Sequence, residues 1–359
     1  MTRLDDILWV RPGAARVQSG ARLHAIDTEA RRIGWEQRLL PSTFRLATAG
    51  GYVAGGCCGI GSIAHGALKD PGNFLGARVV SVEKTPRIRE LRGETARDLH
   101  HSYGVNGIMT ELELALAPAH DWHEFIVCFD DFMDAAHFAR RVGEADGIAK
   151  RLVTVLAWPI PAYFTPLSAH LPTGRHAVIL LIAESSVETF YELCSHAGGE
   201  VTYSKSAEEL RAGGRTLIEY TWNHTTLYAL KADKSMTYLQ TGYRPERDLK
   251  TMERICRYFG DELMMHLEFI RADGAVTCSG LPLIRFSDEA RLNEIIRYHE
   301  ANGVFVANPH TYVIEDGGKK VIDPRQLRSK EELDPGGILN PGKLKAWDSH
   351  GPGAGEGAA

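Results

Sequence analysis

Two short polar strings carry the side chains of this sequence that are best suited to acid–base chemistry. Residues 220–226 read YTWNHTT, so His224 has amide, hydroxyl and aromatic neighbours. Residues 308–312 read NPHTY and place His310 and Tyr312 in a turn ahead of apolar residues. Imidazole and phenol groups can transfer protons to or from a reacting group. We therefore name His224, His310 and Tyr312 as candidate catalytic residues. The structural alternative for His224 is a strand with one satisfied histidine.

A second stretch, residues 47–66 (ATAGGYVAGGCCGIGSIAHG), is suited to holding a cofactor through its backbone. Glycine lets the chain bend sharply and lets a ligand approach main-chain N–H groups closely. An S-adenosylmethionine-dependent methyltransferase is one interpretation, but it needs an apolar strand before the glycines and a helix after them, and both are poor here. A P-loop is excluded because no lysine follows at the required spacing. A tight glycine loop with a purely structural role is another alternative.

Composition and charge argue against several functional classes. The 359 residues include 41 basic and 46 acidic ones, and the net charge of −5 does not favour a nucleic-acid partner. The longest apolar run, residues 177–183, is too short for a membrane span. The N-terminus lacks the layout of a signal peptide, and six scattered cysteines without a CxxC pair predict reduced thiols in the cytoplasm. Adjacent histidines at 100–101 would point to opposite faces of a strand, and the pair at 120/123 lacks a nearby carboxylate set, so no metal is predicted.

The elements that must position these residues divide the chain into four parts. Residues 1–118 are β-rich, and ELELAL at 111–116 has the period-two alternation of a half-buried strand. Residues 119–328 predict an α+β domain, in which helices pack on a largely antiparallel sheet. Residues 329–347 are polar and rich in turns, and residues 348–359 predict a disordered tail.

Several element bounds follow from the same patterns. We predict single strands over residues 236–243, 263–270 and 275–284. The second would contain His266 as a buried strand histidine, and the third would contain Cys278. Amphipathic helices are predicted at 131–142, 187–197, 247–259 and 288–302. The glycine-rich residues 47–66 predict neither a regular helix nor a strand.

Five groups of residues, in order along the chain, resemble the vanillyl-alcohol-oxidase (PCMH-type) family of flavoproteins. They are PS at 41–42, ATAGG at 47–51, GSIAHG at 61–66, YGVNGIMT at 103–110 and DPGGILNPGK at 334–343. The family typically shows P-S, A-T-x-G-G, G-S-x-x-Y-G and G-x-x-G-x-x-G-I-I-T, and ends in D-P-x-x-I-L-N-P-G-K. The resemblance implies an α+β fold with a PCMH-type FAD-binding domain (1–118), a cap or substrate domain (119–328) and a C-terminal return to the first domain (329–347).

The resemblance also implies FAD as the cofactor. The residues that it assigns to cofactor binding are Thr48, Gly50, Gly51, Gly61, Ser62, His65, Gly107, Ile108, Asn340 and Lys343. The first three would lie along the pyrophosphate and the edge of the flavin ring, and the next three would continue that wall. Gly107 and Ile108 would contact the ribityl–adenine side through main-chain atoms. Asn340 and Lys343 would approach the ring, where a cation would stabilise a reduced, anionic flavin.

The chain departs from the family pattern in its first residues. The early R-G-x-G-T-S loop, which would grip the pyrophosphate, has no counterpart here, and residues 1–8 resemble the point just after that half of the domain. We therefore expect an N-terminally truncated FAD domain with Met1 as an internal methionine. A second departure is His65, which stands where the family commonly has tyrosine.

The sequence thus predicts an FAD-dependent oxidoreductase that oxidises a small hydroxylated molecule, a hydroxy acid or an alcohol, by hydride transfer to flavin N5. The alternative is a non-catalytic remnant or subunit of the same fold that lacks flavin or needs a partner chain. A methyltransferase is the third hypothesis. The expected partners are a small-molecule substrate and an electron acceptor of undefined class, and the sequence does not define an oligomeric state.

Overall fold

The computed structural model describes residues 3–56, 58–213, 215–319, 321 and 323–350. The chain divides into two compact units. The first consists of residues 1–58, 67–119 and 307–359, and the second of residues 59–66 and 120–306. The sequence-based boundary at 328/329 differs from this division, because residues 307–328 also cluster with the first unit. Of the predicted tail, residues 348–350 end a helix, and residues 351–359 lie outside the described part of the chain.

The first unit is built on one antiparallel sheet. Its strands are β1 Ile7–Arg11, β2 Ala14–Gln18, β3 Trp35–Gln37, β4 Phe74–Val80, β5 Ile88–Arg92 and β6 Ile108–Pro118. The order is β1-β2-β6-β4-β5, and β3 pairs with β6. The helices described in this unit are α1 Leu23–Arg31, α2 Ala49–Gly55, α4 Glu94–Arg97, α11 Pro324–Leu333 and α12 Lys345–His350.

The predicted alternating strand lies in β6, at the centre of this sheet. Leu112, Leu114 and Leu116 are buried. Between them, Glu113 pairs with Arg16 of β2 and Arg92 of β5. The period of two therefore separates an apolar face from a ladder of ion pairs, as the sequence pattern requires.

The second unit contains two sheets. Its strands are β7 Trp122–Phe129, β8 Lys150–Leu156, β9 His176–Ala183, β10 Glu200–Lys205, β11 Met236–Tyr238, β12 Gln240–Gly242, β13 Leu263–Met264, β14 His266–Ala272, β15 Ala275–Gly280, β16 Leu283–Arg285 and β17 Phe305–Ala307. Eight of them form the sheet β10-β7-β9-β8-β14-β15-β12-β17, and three form β11-β16-β13. The helices described are α3 Ser62–His65, α5 Phe132–Glu144, α6 Val187–Ser195, α7 Ala207–Arg211, α8 Asn223–Ala232, α9 Asp248–Phe259 and α10 Glu289–Ala301.

The core of the second unit lies between one face of the large sheet and its helices. Val153 of β8 and Leu267 of β14 share an apolar cluster with Phe138 of α5 and Ile255 of α9. Because side chains alternate along a strand, Thr154 and Glu268 belong to the other face of the sheet. These two residues are direct partners in the β8–β14 ladder.

Three predicted long strands are each broken in two, which corrects the sequence analysis. Residues 236–243 form β11 and β12, residues 263–270 form β13 and β14, and residues 275–284 form β15 and β16. The last break falls at Leu281-Pro282, where proline has no amide to donate to a ladder. Since β16 pairs with both β11 and β13, one part of each broken strand belongs to the small sheet instead of the large one.

Two expectations about local structure were also wrong. The glycine-rich residues 47–66 do contain regular structure, because Thr48 caps the start of α2 and Gly56 ends it at φ +64°. The string at 220–226 is not a strand. Residues 217–220 form a 3₁₀ turn and Asn223 begins α8.

Candidate functional site

The first turn of α2 uses its main-chain donors within the protein. The amides of Ala49 and Gly50 donate to the carbonyl oxygens of Ala21 and Ser19, and the Gly51 amide donates to Thr48 Oγ1. A Cβ at Gly50 would lie 2.8 Å from Ser19 Cβ, so packing alone requires glycine there. The predicted position of Thr48 and Gly50 along the pyrophosphate therefore has a structural alternative, because the Thr48 hydroxyl and the Gly50 amide already form hydrogen bonds within the fold.

The other glycines of α2 leave a strip of bare backbone. Gly51 is exposed, and a Cβ built on it would meet only Thr48 Oγ1, at 3.1 Å. A Cβ at Gly55 would meet nothing within 4 Å. Residues four apart lie on the same face of a helix. This face can therefore be approached as closely as the main chain allows, which fits an extended cofactor.

The C-terminal end of α2 is capped by residues 101–104. The amides of His101 and Tyr103 donate to the carbonyl oxygens of Val53 and Ala54, at 3.1 and 2.9 Å. His101 and Tyr103 both adopt positive φ, +53° and +50°. A Cβ at Gly56 would collide with His101, so the helix end and this loop fit each other closely. Positive φ at non-glycine residues costs free energy and is frequent at functional sites.

The C-terminal motif meets this loop. Asn340, at φ +45°, donates from its side chain to the Tyr103 carbonyl oxygen. Lys343 Nζ lies 4.7 Å from the ring centroid of Tyr103 and 4.4 Å from that of Tyr312. No carboxylate of the described residues forms an ion pair with Lys343. The structure thus brings Asn340, Lys343 and Tyr312 together around Tyr103, which the sequence analysis had not singled out as a site residue.

A buried carboxylate holds the C-terminal motif in its shape. Asp334 accepts hydrogen bonds from the amides of Ile338 and Leu339, at 3.1 and 2.9 Å. Lys330 donates to Asp334 and to the carbonyl oxygen of Val105. These contacts connect the end of α11 both to the loop before β6 and to the segment that carries Asn340.

The remaining cofactor candidates of the first unit have separate roles. Gly107 has φ +63°, and a Cβ on it would lie 2.7 Å from Val79 Cγ1, so both conformation and packing require glycine. Ile108 follows it at the start of β6 with 39% of its surface exposed. An exposed isoleucine at this position offers an apolar contact to a ligand.

Gly61, Ser62 and His65 belong to the second unit. Gly61, at φ +98°, donates its amide to the Arg151 carbonyl oxygen at 2.7 Å. Ser62 is fully buried and accepts from the amide of Gly59. His65 is half-buried at the end of α3. Gly61 and Ser62 therefore fix the chain around residues 59–62 by hydrogen bonds. Of the three, His65 has the more accessible side chain.

The catalytic candidates divide between the units. His224 lies in the first turn of α8 in the second unit, and burial lowers its pKa. His310 is exposed in the first unit, and its amide donates to the side chain of Asn308. Tyr312 is 60% exposed, and its hydroxyl donates to the Pro341 carbonyl oxygen at 3.4 Å. Tyr312 joins another predicted site residue, because Lys343 Nζ lies over its ring.

Sequence reasoning missed a buried polar network in the second unit. His266 Nε2 lies 2.8 Å from Glu268 Oε1, and the Trp222 amide donates to the same oxygen. Thr154 donates to the other oxygen of Glu268 at 2.6 Å. The H-x-E spacing within a strand places both side chains on one face and was the available signal. The partners from residues 154 and 222 could not be inferred from it.

Two kinds of feature are absent from the described residues. They contain no group of three or more histidine, cysteine or acidic side chains arranged to hold a metal ion. They also contain no helix that is long and apolar enough to cross a membrane.

Comparisons with known proteins identify the fold. Residues 1–85 match a family model described as an FAD binding domain, and no curated protein sequence matches the chain. A crystal structure of alkyldihydroxyacetonephosphate synthase aligns with a TM-score of 0.67 and 16% identity, over 96% of this chain and 68% of that one. A second structure of the synthase aligns with a TM-score of 0.67 and 15% identity, over 95% and 66%. Residues 1–85 thus match an FAD-binding domain, and the chain has the α+β fold of the PCMH-type FAD-binding family.

Proposed function

We propose that this chain binds FAD and oxidises a small hydroxylated molecule, a hydroxy acid or an alcohol. The observation that carries the proposal is the first-unit assembly in which the bare face of α2, the loop at 101–104 and the C-terminal motif are fixed to one another. This assembly lies in the unit that contains residues 1–58 and 67–85 of the match to an FAD binding domain. Bound FAD supplies a hydride acceptor, flavin N5.

The residues of the first unit that fit the cofactor are those with open surroundings. Gly51 and Gly55 provide main chain without side chains, and Ile108 provides an exposed apolar contact. Lys343 provides a positive charge that no carboxylate of the described residues neutralises. A cation held in this way would stabilise negative charge that develops on a bound ring or on a phosphate. From the second unit, His65 is the remaining candidate.

The substrate side of the proposal rests on the second unit. Because burial lowers the pKa of His224, its imidazole is neutral at neutral pH and can accept a proton from a hydroxyl group. Cys128, Cys194 and Cys278 are buried free thiols, which supports a reducing compartment such as the cytoplasm. Neither observation identifies the electron acceptor.

A second candidate function is a non-catalytic member of the same fold. It is favoured by the first turn of α2, whose amides are already bonded within the protein. A chain that cannot supply these donors to a pyrophosphate would bind FAD weakly or need a partner chain. The methyltransferase hypothesis gains no support from the fold.

The test is an absorbance spectrum of the purified chain from about 300 to 550 nm, before and after addition of FAD and desalting. Flavin bands that remain after desalting support the proposal, and hydroxy acids and alcohols are then screened anaerobically for bleaching of the long-wavelength band. A chain that stays colourless with excess FAD contradicts the proposal and favours the non-catalytic alternative. Retained flavin without bleaching by any compound would contradict the oxidation step alone.

A further inference from the structure

Three neighbouring strands of the large sheet bring a serine, a histidine and a glutamate together in the second unit. His123 lies in β7, Ser204 lies in β10 on one side of it, and Glu184 directly follows β9 on the other side. Residues 123 and 125 share a face of β7 because side chains alternate along a strand, and Ser204 is the ladder partner of Phe125. The ladders therefore place the side chain of Ser204 beside that of His123.

Hydrogen bonds connect these three side chains. Ser204 Oγ lies 2.7 Å from His123 Nε2, and His123 Nδ1 lies 3.4 Å from Glu184 Oε2. The His123 ring stacks on the ring of Phe125, with the centroids 4.4 Å apart and an angle of 12° between the planes. The amide of Ala207 donates to Glu184 Oε1 at 2.8 Å. Contacts outside the group thus hold both the imidazole and the carboxylate in place.

The carboxylate determines the direction of these hydrogen bonds. Glu184 can only accept, so in the neutral ring of His123 the proton is on Nδ1 and Nε2 holds a lone pair. Nε2 then accepts from the hydroxyl of Ser204. Because that hydroxyl has a single hydrogen, Tyr191, whose hydroxyl oxygen lies 3.1 Å from Ser204 Oγ, donates to it.

The exposure of the group suits a reaction with a molecule from solvent. Ser204 is exposed, whereas the side chain of His123 is only 12% exposed. A hydroxyl that donates to an imidazole, which a carboxylate orients in turn, is the arrangement that activates serine as a nucleophile in unrelated folds.

We propose that Ser204, His123 and Glu184 form a site that hydrolyses small esters, separate from the flavin-linked reaction proposed above. Ser204 Oγ attacks the carbonyl carbon of the ester, and its proton passes to His123 Nε2. The bond from the carbonyl carbon to the alcohol oxygen breaks, and the alcohol leaves with that proton. Water then attacks the acyl-serine with His123 as the base, which releases the carboxylic acid and restores the serine hydroxyl.

Two other side chains support these steps. The Tyr191 hydroxyl, next to Ser204 Oγ, can donate to the ester oxygen as negative charge develops on it. Glu184 is a positioning residue, since it acts only through the orientation and tautomer of His123.

The experiment uses the full chain with p-nitrophenyl acetate as the ester and a fluorophosphonate as a covalent label. The label forms a bond from phosphorus to the serine oxygen and releases fluoride, and tandem mass spectrometry of the digested chain locates it. Both reactions are run at about pH 8, above the usual titration range of imidazole. Ser195 is the matched control, because it is also exposed but donates to the Glu192 carbonyl oxygen instead of an imidazole.

The expected result is that Ser204 is labelled about 100-fold faster than Ser195, or more, because a positioned base contributes at least that factor. Ser204→Ala and His123→Gln should each slow ester hydrolysis by about 100-fold or more. Tyr191→Phe should slow it by about fivefold to tenfold, the value of one neutral hydrogen bond. Ser204→Ala removes only an exposed hydroxyl, so it keeps the test valid if another variant does not fold.

The role of Glu184 has a readout of its own. Glu184→Gln should slow hydrolysis and remove the downfield Nδ1–H resonance of His123 from the proton NMR spectrum, because the ring is no longer oriented by a carboxylate. Glu184→Asp should retain part of both. A Gln variant that keeps the resonance and the full rate would contradict the positioning role.

Two results would overturn the proposal. Equal labelling rates of Ser204 and Ser195 would mean that His123 does not activate Ser204. Undiminished ester hydrolysis by Ser204→Ala would mean that the serine is not the nucleophile. Neither measurement involves flavin, so these outcomes are independent of the FAD-binding and oxidation tests.

Discussion

Lys330 and Asp334, one helical turn apart at the end of α11, form a buried ion pair with Nζ 2.7 Å from Oδ2. The lysine is 1% exposed and the aspartate fully buried. Asp334 shapes the segment that carries Asn340, and Lys330 connects it to Val105. The pair therefore organises the C-terminal motif, although neither side chain has a surface through which it could touch a ligand.

We expect Lys330→Met to destabilise the chain by about 3–5 kcal/mol, because it leaves an uncompensated buried carboxylate. Asp334→Asn should cost free energy as well, and the double variant should cost less than the sum of the two. Urea unfolding monitored by tryptophan fluorescence measures this, since Lys330 Nζ lies 5.3 Å from the ring centroid of Trp347. Arg257→Met, which breaks the exposed i,i+4 pair with Glu253, should change stability by less than about 1 kcal/mol. Equal effects of both lysine and arginine variants would refute the role of Lys330.

The bare face of α2 makes separate predictions for stability and for FAD affinity. Gly51→Ala should change the stability by less than about 1 kcal/mol, because the better helix propensity of alanine is offset by the tight 3.1 Å contact of its Cβ with Thr48 Oγ1, which caps the helix. The same methyl group should weaken FAD binding about tenfold if the cofactor approaches the backbone there. Thermal unfolding and flavin fluorescence titration give the two quantities.

Gly147→Ala is the control for that pair of measurements. Gly147 is exposed, has no positive φ and would place its Cβ in open space, but lies in a turn of the second unit. It should leave FAD affinity unchanged. If Gly51→Ala also leaves the affinity unchanged, the face of α2 is not a cofactor wall.

Lys343 allows the flavin ring and the phosphates of the cofactor to be distinguished. We expect Lys343→Met to weaken FAD and riboflavin by a similar factor, because the resemblance places this cation beside the ring. Lys343→Arg should retain most of the affinity, since a guanidinium also binds on the faces of Tyr103 and Tyr312. Fluorescence quenching of each flavin measures the affinities. A loss confined to FAD would instead place Lys343 against the phosphates.

The parts of the fold that depend on local patterns were predictable from the sequence. The alternation in residues 111–116 predicted the central strand β6, and the spacing of Phe132, Ala135 and Ala139 predicted α5, which Asp131 caps. Both patterns report which side chains are buried, and burial is what their periods encode. The order of the glycine motifs similarly predicted an FAD-binding domain, which residues 1–85 match.

What the sequence could not predict depends on contacts between distant residues. The breaks at Leu239, Met265 and Leu281 follow from pairing with β16, which no single segment reveals. The network around Glu268 joins residues 154, 222, 266 and 268, of which only the last two share a local pattern. Thr48 is a favourable residue for a helix N-cap, but the glycines after it have low helix propensity and therefore predicted no helix.

Burial of Lys150 predicts a pH-dependent stability with a defined sign. Burial lowers the pKa of Lys150 to about 8, and its ammonium donates to the Ala145 carbonyl oxygen at 2.7 Å. In the unfolded chain the pKa is about 10.4. Because the pKa is lower in the folded state, the lysine does not reduce the stability above about pH 10.4, where it is neutral in both states. The stability then decreases as the pH falls from there through about 8. The wild-type chain therefore has a destabilising buried charge at pH 7.

We expect Lys150→Met to stabilise the chain relative to wild type at pH 7, with a difference that shrinks as the pH rises toward 10. The free energy of unfolding by urea at pH 7, 8.5 and 9.5 measures that difference, and taking it at each pH cancels the titration of the other groups. The exposed Lys69 provides the control, because its side chain is in water before and after unfolding. Lys69→Met should therefore give a difference that does not depend on pH. A difference for Lys150→Met that stays constant, or grows with pH, would mean that the lysine is not buried as a cation in the folded chain.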